Sequence, residues 1–214
     1  MNLMVLARDQ LRGLRAGQLR PLPGFYREFA NGSSLAFVHV NKTGGTSVAR
    51  ALDLQPKCHL TVREMKAKLC EERWSRALKF AFVRNPWDRA VSHFEYRVQT
   101  NQTSMGDRPL SFDEWLRCVY VDCDPQFYDQ PKMFQAQSDW LKDETGEVAV
   151  DFVGRFEDFD NQFAMVTTRL GIAAELPHLN GTRRDDYHRY YSPLSVDIVA
   201  EHFAEDIERF GYAY

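Results

Sequence analysis

The sequence predicts an α/β fold, a single domain with a central parallel sheet flanked by helices, and three observations carry that prediction. Residues 35–40 (LAFVHV) and 78–83 (LKFAFV) are short apolar runs with β-branched and aromatic members, the pattern of strands buried on both faces. Each is followed by a loop and a helical stretch, and a third helical stretch joins the two units. Strand, loop and helix, repeated with a helical crossover, build a parallel sheet whose sites lie at the strand C-termini. The 214 residues, 44% hydrophobic and 13% aromatic, suffice for one core but not for two comfortable ones.

In chain order, residues 1–34 form a basic N-terminal arm. Arg8, Arg12, Arg15, Arg20 and Arg27 stand there against Asp9 and Glu28, with Leu3, Leu6, Leu11 and Leu14 at loosely helical spacing. Two readings fit: a frayed or docking helix, or a peripheral contact with an anionic membrane. The arginines interrupt the apolar run before it could serve as a signal segment, and no stretch approaches the roughly 18 apolar residues of a membrane span. A cytoplasmic location, with membrane association through the arm as the alternative, is the expectation. The PLPG punctuation at 21–24 separates the arm from a catalytic domain over 35–214.

Within that domain the first strand, bounded by Asn31-Gly32 and Gly44-Gly45, leads into a helix over 46–54, and a connecting helix is expected over 61–69. The second strand ends at Arg84-Asn85-Pro86, before a helix with apolar Ala90, Val91, Phe94 and Val98. Ser111 and Glu114 form a capping box that opens a helix to about Tyr120. Residues 148–156 read as a third strand and 158–170 as a helix closed by Gly171. Ser192-Pro193 opens the last helix with an N-cap and an N1 proline, and Val199, Phe203, Ile207 and Phe210 give it one stripe.

Composition removes some functions. With 27 Lys and Arg against 30 Asp and Glu the net charge is -3, so the broad basic surface of a nucleic-acid binder is missing and any anion site must be built locally. The four cysteines form no CxxC pair and have no histidines at zinc spacing, so they read as reduced core thiols, and no metal site is expected. Sequons occur at Asn31, Asn41, Asn101 and Asn180. Those at Asn41 and Asn180 fall in the loops assigned to the site below, where a glycan would block binding.

The loop after the first strand, 41–47 (NKTGGTS), places paired glycines, a lysine and two hydroxyls at a helix N-terminus, where unpaired amides and the positive dipole end suit an anion. An ordinary tight turn with a capping threonine is the plainer reading. Walker A spacing is excluded, because there the lysine follows the glycines and here it precedes them. The loop after the second strand, 84–92 (RNPWDRAVS), puts Arg84 before a helix and Ser92 inside it, a second anion site. Two such sites on adjacent strand ends suit a nucleotide phosphorylated at both ends of its ribose.

On these residues the chain resembles the sulfotransferases that use 3'-phosphoadenosine 5'-phosphosulfate, in particular the carbohydrate and uronyl 2-O-type branch. FVHVNKTGGTS (37–47) is similar to that family's 5'-phosphosulfate loop and FVRNPWDRAVS (82–92) to its 3'-phosphate motif, while DFVGRFE (151–157) and LPHLN (176–180) extend the resemblance. Asn41 stands where the family usually has proline, a departure expected to loosen the loop. The resemblance implies a P-loop-NTPase-like sulfotransferase fold and a donor cosubstrate held by Lys42, Thr43, Gly44, Gly45, Thr46 and Ser47 at its 5' end. It implies Arg84 and Ser92 at the 3'-phosphate, and a closing loop carrying Arg183 and Arg184; a solvated turn fits those two arginines as well. Lys42 would also act catalytically on the bridging oxygen, without a metal.

An acceptor hydroxyl needs a base, and histidine suits neutral pH. His59 resembles the family's histidine base, with His178 as the alternative; His39 reads as a hydrogen-bonded core residue, His93 as packing or surface, and His188 and His202 as surface. Glu95, Asp88 and Glu157 are carboxylate alternatives, each better explained by capping or by pairing with Arg89 or Arg155. The aromatic residues Trp115, Tyr120, Phe127, Tyr128, Phe134 and Trp140 fit either a sugar platform or a core. The expected reaction is sulfuryl transfer to a hydroxyl of a carbohydrate or glycolipid, with a nucleotide kinase or a non-catalytic nucleotide-binding module as competitors.

Overall fold

A computed structural model describes residues 22–177 and 186–214. Strands β1 (Tyr26–Glu28), β2 (Ser34–Val38), β3 (Leu78–Val83) and β4 (Phe152–Arg155) form one sheet in that spatial order. β2, β3 and β4 run parallel, with Phe37 beside Phe80 and Phe80 beside Phe152, while β1 pairs antiparallel with β2. The parallel sheet expected from the repeated units is therefore present. Around it lie α1 (Gly45–Ala51), α2 (Val62–Lys66), α3 (Glu71–Arg76), α4 (Pro86–Gln99), α5 (Phe112–Leu116), α6 (Pro131–Phe134), α7 (Gln137–Leu141), α8 (Phe159–Leu170), α9 (Pro193–His202) and α10 (Ala204–Phe210).

β2 is buried throughout and β3 over its last four residues, because helices cover both faces; this is why neither strand alternates polar and apolar residues. On one face Leu35, Phe37, Phe80 and Phe82 pack against Val48 and Leu52 of α1 and Phe163, Val166 and Leu170 of α8. On the other, Ala36, Val38, Ala81 and Val83 meet Met65 of α2, Trp74 of α3 and Trp140 of α7. A third core lies around α4, where Trp87, Ala90 and Val91 contact Phe112, Trp115, Phe134, Val199 and Phe203.

Several expectations need correction. The sheet starts at Tyr26, not at residue 35: Phe25 and Tyr26 are core residues and β1 is hydrogen-bonded to β2, so the arm's last third belongs to the domain. The helix expected over 61–69 ends early, at Lys66, and a separate helix, α3, follows from Glu71. Leu69 and Trp74 are five apart, which one helix would turn to different faces, and the break lets both enter the core. The last helix likewise divides at Phe203 (φ -109, ψ 26): Val199 and Phe203 serve the α4 core while Phe210 packs on the sheet core. The third strand is only Phe152–Arg155.

The aromatic group is core rather than platform, with Trp115, Phe134 and Trp140 fully buried. The cysteines are not core residues: Cys58 and Cys118 are half-buried, Cys70 and Cys123 exposed. Residues 1–21, which hold most of the arm, lie outside the described residues. Among the described residues no helix is long and apolar enough to cross a membrane.

Candidate active site

After β2 the chain makes a tight loop whose path depends on backbone that ordinary residues avoid. Lys42 (φ 67) and Gly44 (φ 80) are both left-handed, and Gly44 precedes the first residue of α1 with no side-chain cap on the helix. Both glycines are required for space, and Gly44 for its dihedral angle as well. A Cβ on Gly44 would sit 2.7 Å from the Phe159 ring, and one on Gly45 would sit 2.1 Å from the His39 ring. Thr43 is sealed inside the loop, its hydroxyl donating to the Val40 carbonyl at 2.9 Å; its side chain staples the loop rather than facing a ligand.

Asn41 does not loosen this loop. Buried Arg89 on α4 donates to the Asn41 carbonyl at 3.2 Å and to its side-chain oxygen at 2.6 Å, and the Asn41 amide donates to the Met133 carbonyl at 2.9 Å. An asparagine supplies an acceptor and a donor that proline lacks, so the loop is clamped through its side chain. Arg89 is therefore committed to Asn41, and the carboxylate of Asp88 pairs with Arg84 instead.

Arg84, the residue after β3, links the two motifs. Its Nε and NH2 meet Asp88 Oδ2 at 2.7 and 2.5 Å, its NH1 donates to the Lys42 carbonyl at 3.3 Å, and its guanidinium lies 4.2 Å from the Phe156 ring centroid. Its main chain is held on both sides by the Gln137 side chain, at 2.9 and 2.8 Å. α4 begins two residues further on, because Asn85 caps it and Pro86 occupies its first position. That start places Ser92 on the face turned to the first loop.

These elements enclose a cavity of about 580 Å³ at the C-terminal ends of β2 and β3. Of the sequence-predicted residues, Lys42, Gly44, Gly45, Thr46, Ser47, His59, Arg84 and Ser92 all border it. The Lys42 ammonium lies 4.0 Å above the Tyr96 ring, reaching across to α4. Among the described residues lining the cavity, Lys42, Lys57, Arg84 and Arg97 oppose a single carboxylate, Asp160, which favours an anionic ligand. Arg183, Arg184 and His178 lie outside the described residues.

His59 is tightly held. Its Nδ1 is 2.9 Å from the His39 carbonyl; a carbonyl only accepts, so Nδ1 carries the proton and Nε2 keeps its lone pair. The His59 carbonyl in turn accepts from the Lys132 ammonium at 2.9 Å, and Lys132 pairs with Glu64. That carboxylate completes the Thr61 capping box of α2, two residues after His59. Burial pulls the imidazole pKa below its ordinary value; the bond to His39 opposes this, and Lys132, Lys42 and Lys57 add to it. His59 is thus a neutral, oriented imidazole at neutral pH.

Four residues that sequence reasoning left to the core or did not weigh also border the cavity: His39, His93, Tyr96 and Arg97. His93 is buried against Phe134 and Trp115, and Arg97 is held by Asp129 at 2.6 Å. Tyr96, Arg97 and Ser92 share α4, so its 3.6-residue period was the available signal. The carboxylate alternatives lie elsewhere. Glu95 accepts from Tyr190, and Glu157 accepts from the Asn85 amide and Tyr212 rather than pairing with Arg155. His202, expected at the surface, is half-buried on Tyr120 and bonded to the Phe134 carbonyl. His188 pairs with Asp186.

Fold and cavity together define an α/β protein with a cationic ligand site across two parallel strand ends. The model of the sulfotransferase family matches residues 29–213, and the chain belongs to that family, whose chemistry is sulfuryl transfer. An uncharacterized protein of Archaeoglobus fulgidus is 30% identical over 112 residues, which span 52% of this chain and 82% of that protein. No solved structure gives a significant match.

Proposed function

We propose that the enzyme transfers a sulfuryl group from 3'-phosphoadenosine 5'-phosphosulfate to a hydroxyl of a carbohydrate or glycolipid. The observation that carries this reading is the single cavity bordered by both motifs, with Arg84 bonded to the Lys42 carbonyl at 3.3 Å. One ligand of nucleotide size can touch both. The cavity suits such a donor: a glycine cradle that a Cβ would fill, a lysine beside it, and an arginine and a serine opposite.

The donor supplies an activated sulfuryl group, whose bond to the 5'-phosphate oxygen breaks with its electron pair as the acceptor oxygen attaches to sulfur. Lys42 balances the charge that collects on the leaving phosphate. His59 Nε2 takes the acceptor proton, its tautomer held by the His39 carbonyl. Arg84, oriented by Asp88, and Ser92 hold the 3'-phosphate, and positioning of this kind supplies most of the rate in related phosphoryl transfers. The less charged sulfuryl group needs no divalent cation in this reading, because Lys42 can balance the charge on the leaving phosphate.

The test is radiolabelled sulfate transfer to a glycan panel, with and without EDTA. Metal-independent transfer that falls ~10²–10³-fold in Lys42→Ala and in His59→Ala is expected. Phosphate transfer from ATP in place of sulfate transfer would replace this reading with a kinase. Tight binding of adenosine 3',5'-bisphosphate with no transfer would make the protein a nucleotide-binding module.

A further inference from the structure

His39 follows β2 by one residue, where the sequence suggests an ordinary hydrogen-bonded core histidine. It is buried, at 4% exposure, but its ring is not satisfied. Nδ1 is sealed from solvent and has no hydrogen-bond partner among the described residues. The ring stacks on Phe37 at 5.5 Å and tilts against His59 at 4.2 Å between centroids. Its other edge lies over Gly45, where a Cβ would come 2.1 Å from Cδ2 and 2.3 Å from Nε2. Because Nδ1 is sealed and the residue borders the cavity, Nε2 is the nitrogen left to meet a ligand.

The two histidines differ in what they can do. Burial first, and the neighbouring His59 second, push the His39 pKa down to about 3, so the ring is a poor base and stays neutral. A neutral imidazole has one N–H. Orphaned buried N–H groups are rarer than under-satisfied acceptors, so the proton belongs on Nε2, at the Gly45 edge. Paired groups whose surroundings drive them to different proton affinities take different roles.

We propose that His39 is a second histidine at the point of transfer, donating a neutral Nε2–H hydrogen bond to a non-bridging oxygen of the sulfuryl group held at Gly45. This rests on the donor assignment above. His39 exchanges no proton: the acceptor proton still goes to His59 and the electron pair of the broken bond still goes to the 5'-phosphate. The donor aims at oxygens where charge is redistributed during transfer, and adds no cation to a cavity already rich in them.

Two measurements test it. In protein labelled with ¹⁵N-histidine, long-range ¹H–¹⁵N correlation should show His39 as the Nε2–H tautomer. Its Nε2 signal should shift on adding 3'-phosphoadenosine 5'-phosphosulfate without acceptor, and shift less with adenosine 3',5'-bisphosphate. An Nδ1–H tautomer, or an Nε2 signal indifferent to both nucleotides and to inorganic sulfate, overturns the proposal. In kinetics, His39→Phe keeps a ring but no donor. It should lower kcat ~10²–10³-fold while donor KM stays within about threefold, and His39→Gln should recover at least about tenfold. A His39→Phe enzyme within about threefold of wild-type kcat, or a His39→Gln enzyme no better than His39→Phe, sinks it. If the wild type transfers no sulfate, the proposed reaction fails. His39 is then decided by the tautomer and by the response of Nε2 to inorganic sulfate.

Discussion

At His59 a main-chain carbonyl and a lysine set what the ring offers to a substrate. The His39 carbonyl fixes the tautomer, and Lys132 holds the His59 carbonyl while adding positive charge nearby. The charged groups facing the ring are Lys42, Lys57 and Lys132, with Glu64 behind Lys132 and the neutral His39 beside it. A base must be neutral to act, so activity falls as pH drops through the His59 pKa. Removing a cation favours the imidazolium and raises that pKa. Lys132→Met should therefore move the acid limb of the kcat/KM profile to higher pH, while Lys132→Arg leaves it in place. An unmoved limb in Lys132→Met would show that the lysine acts on the loop alone. Nothing in the linear order suggested this contact, since Lys132 lies 73 residues from His59.

Among the elements, α4 and α7 hold the two loops, and each does so through one buried polar residue. Arg89 on α4 clamps Asn41. Replacing Asn41 by the proline usual in the family removes an acceptor from a guanidinium that has no access to water. It should cost ~1.5–3 kcal/mol in urea unfolding; a proline variant as stable as wild type would mean that Arg89 finds other acceptors. Asp206 on α10 is fully buried and accepts from the main-chain amides of Gln137 and Ser138, both at 2.7 Å, at the start of α7. Gln137 in turn holds the Arg84 main chain. Asp206→Ala would leave two buried N–H groups without partners, each costing ~1–3 kcal/mol. It should also weaken adenosine 3',5'-bisphosphate binding measured by calorimetry, because the Arg84 loop loses its support. Unchanged affinity in a folded Asp206→Ala protein would uncouple the C-terminal helix from the site.

For the whole molecule, burial of several histidines links stability to pH. His39, His59, His93 and His202 all have pKa values below the ordinary one, in each case first because of burial. The sign follows from proton counts: just below about pH 6.5 the unfolded chain binds protons that the folded protein refuses, so stability falls as pH drops through that value. The slope reaches about 1.4 kcal/mol per pH unit for each such histidine. Urea midpoints should therefore decline between pH 7 and pH 5, before most carboxylates titrate. His93→Phe, which keeps the packing on Phe134 and Trp115, should flatten the decline. A midpoint independent of pH over that range would contradict the burial of these rings.

Residue order alone determined the parallel strand–loop–helix units, the capping box at Ser111 and the two loops that border the cavity, because each is written in local periodicity and turn chemistry. Strand β1 escaped notice because three residues carry too little pattern. The partners of Arg89, Asp88 and Glu157 were misjudged because sequence neighbours were preferred to groups brought near by folding. Only the tertiary structure decided that His39 lines the cavity, that Lys132 braces His59 and that Asp206 supports Arg84. Those contacts join residues 20 to 73 positions apart or lie at the end of a buried strand. Their chemistry depends on burial, which no local window of sequence contains.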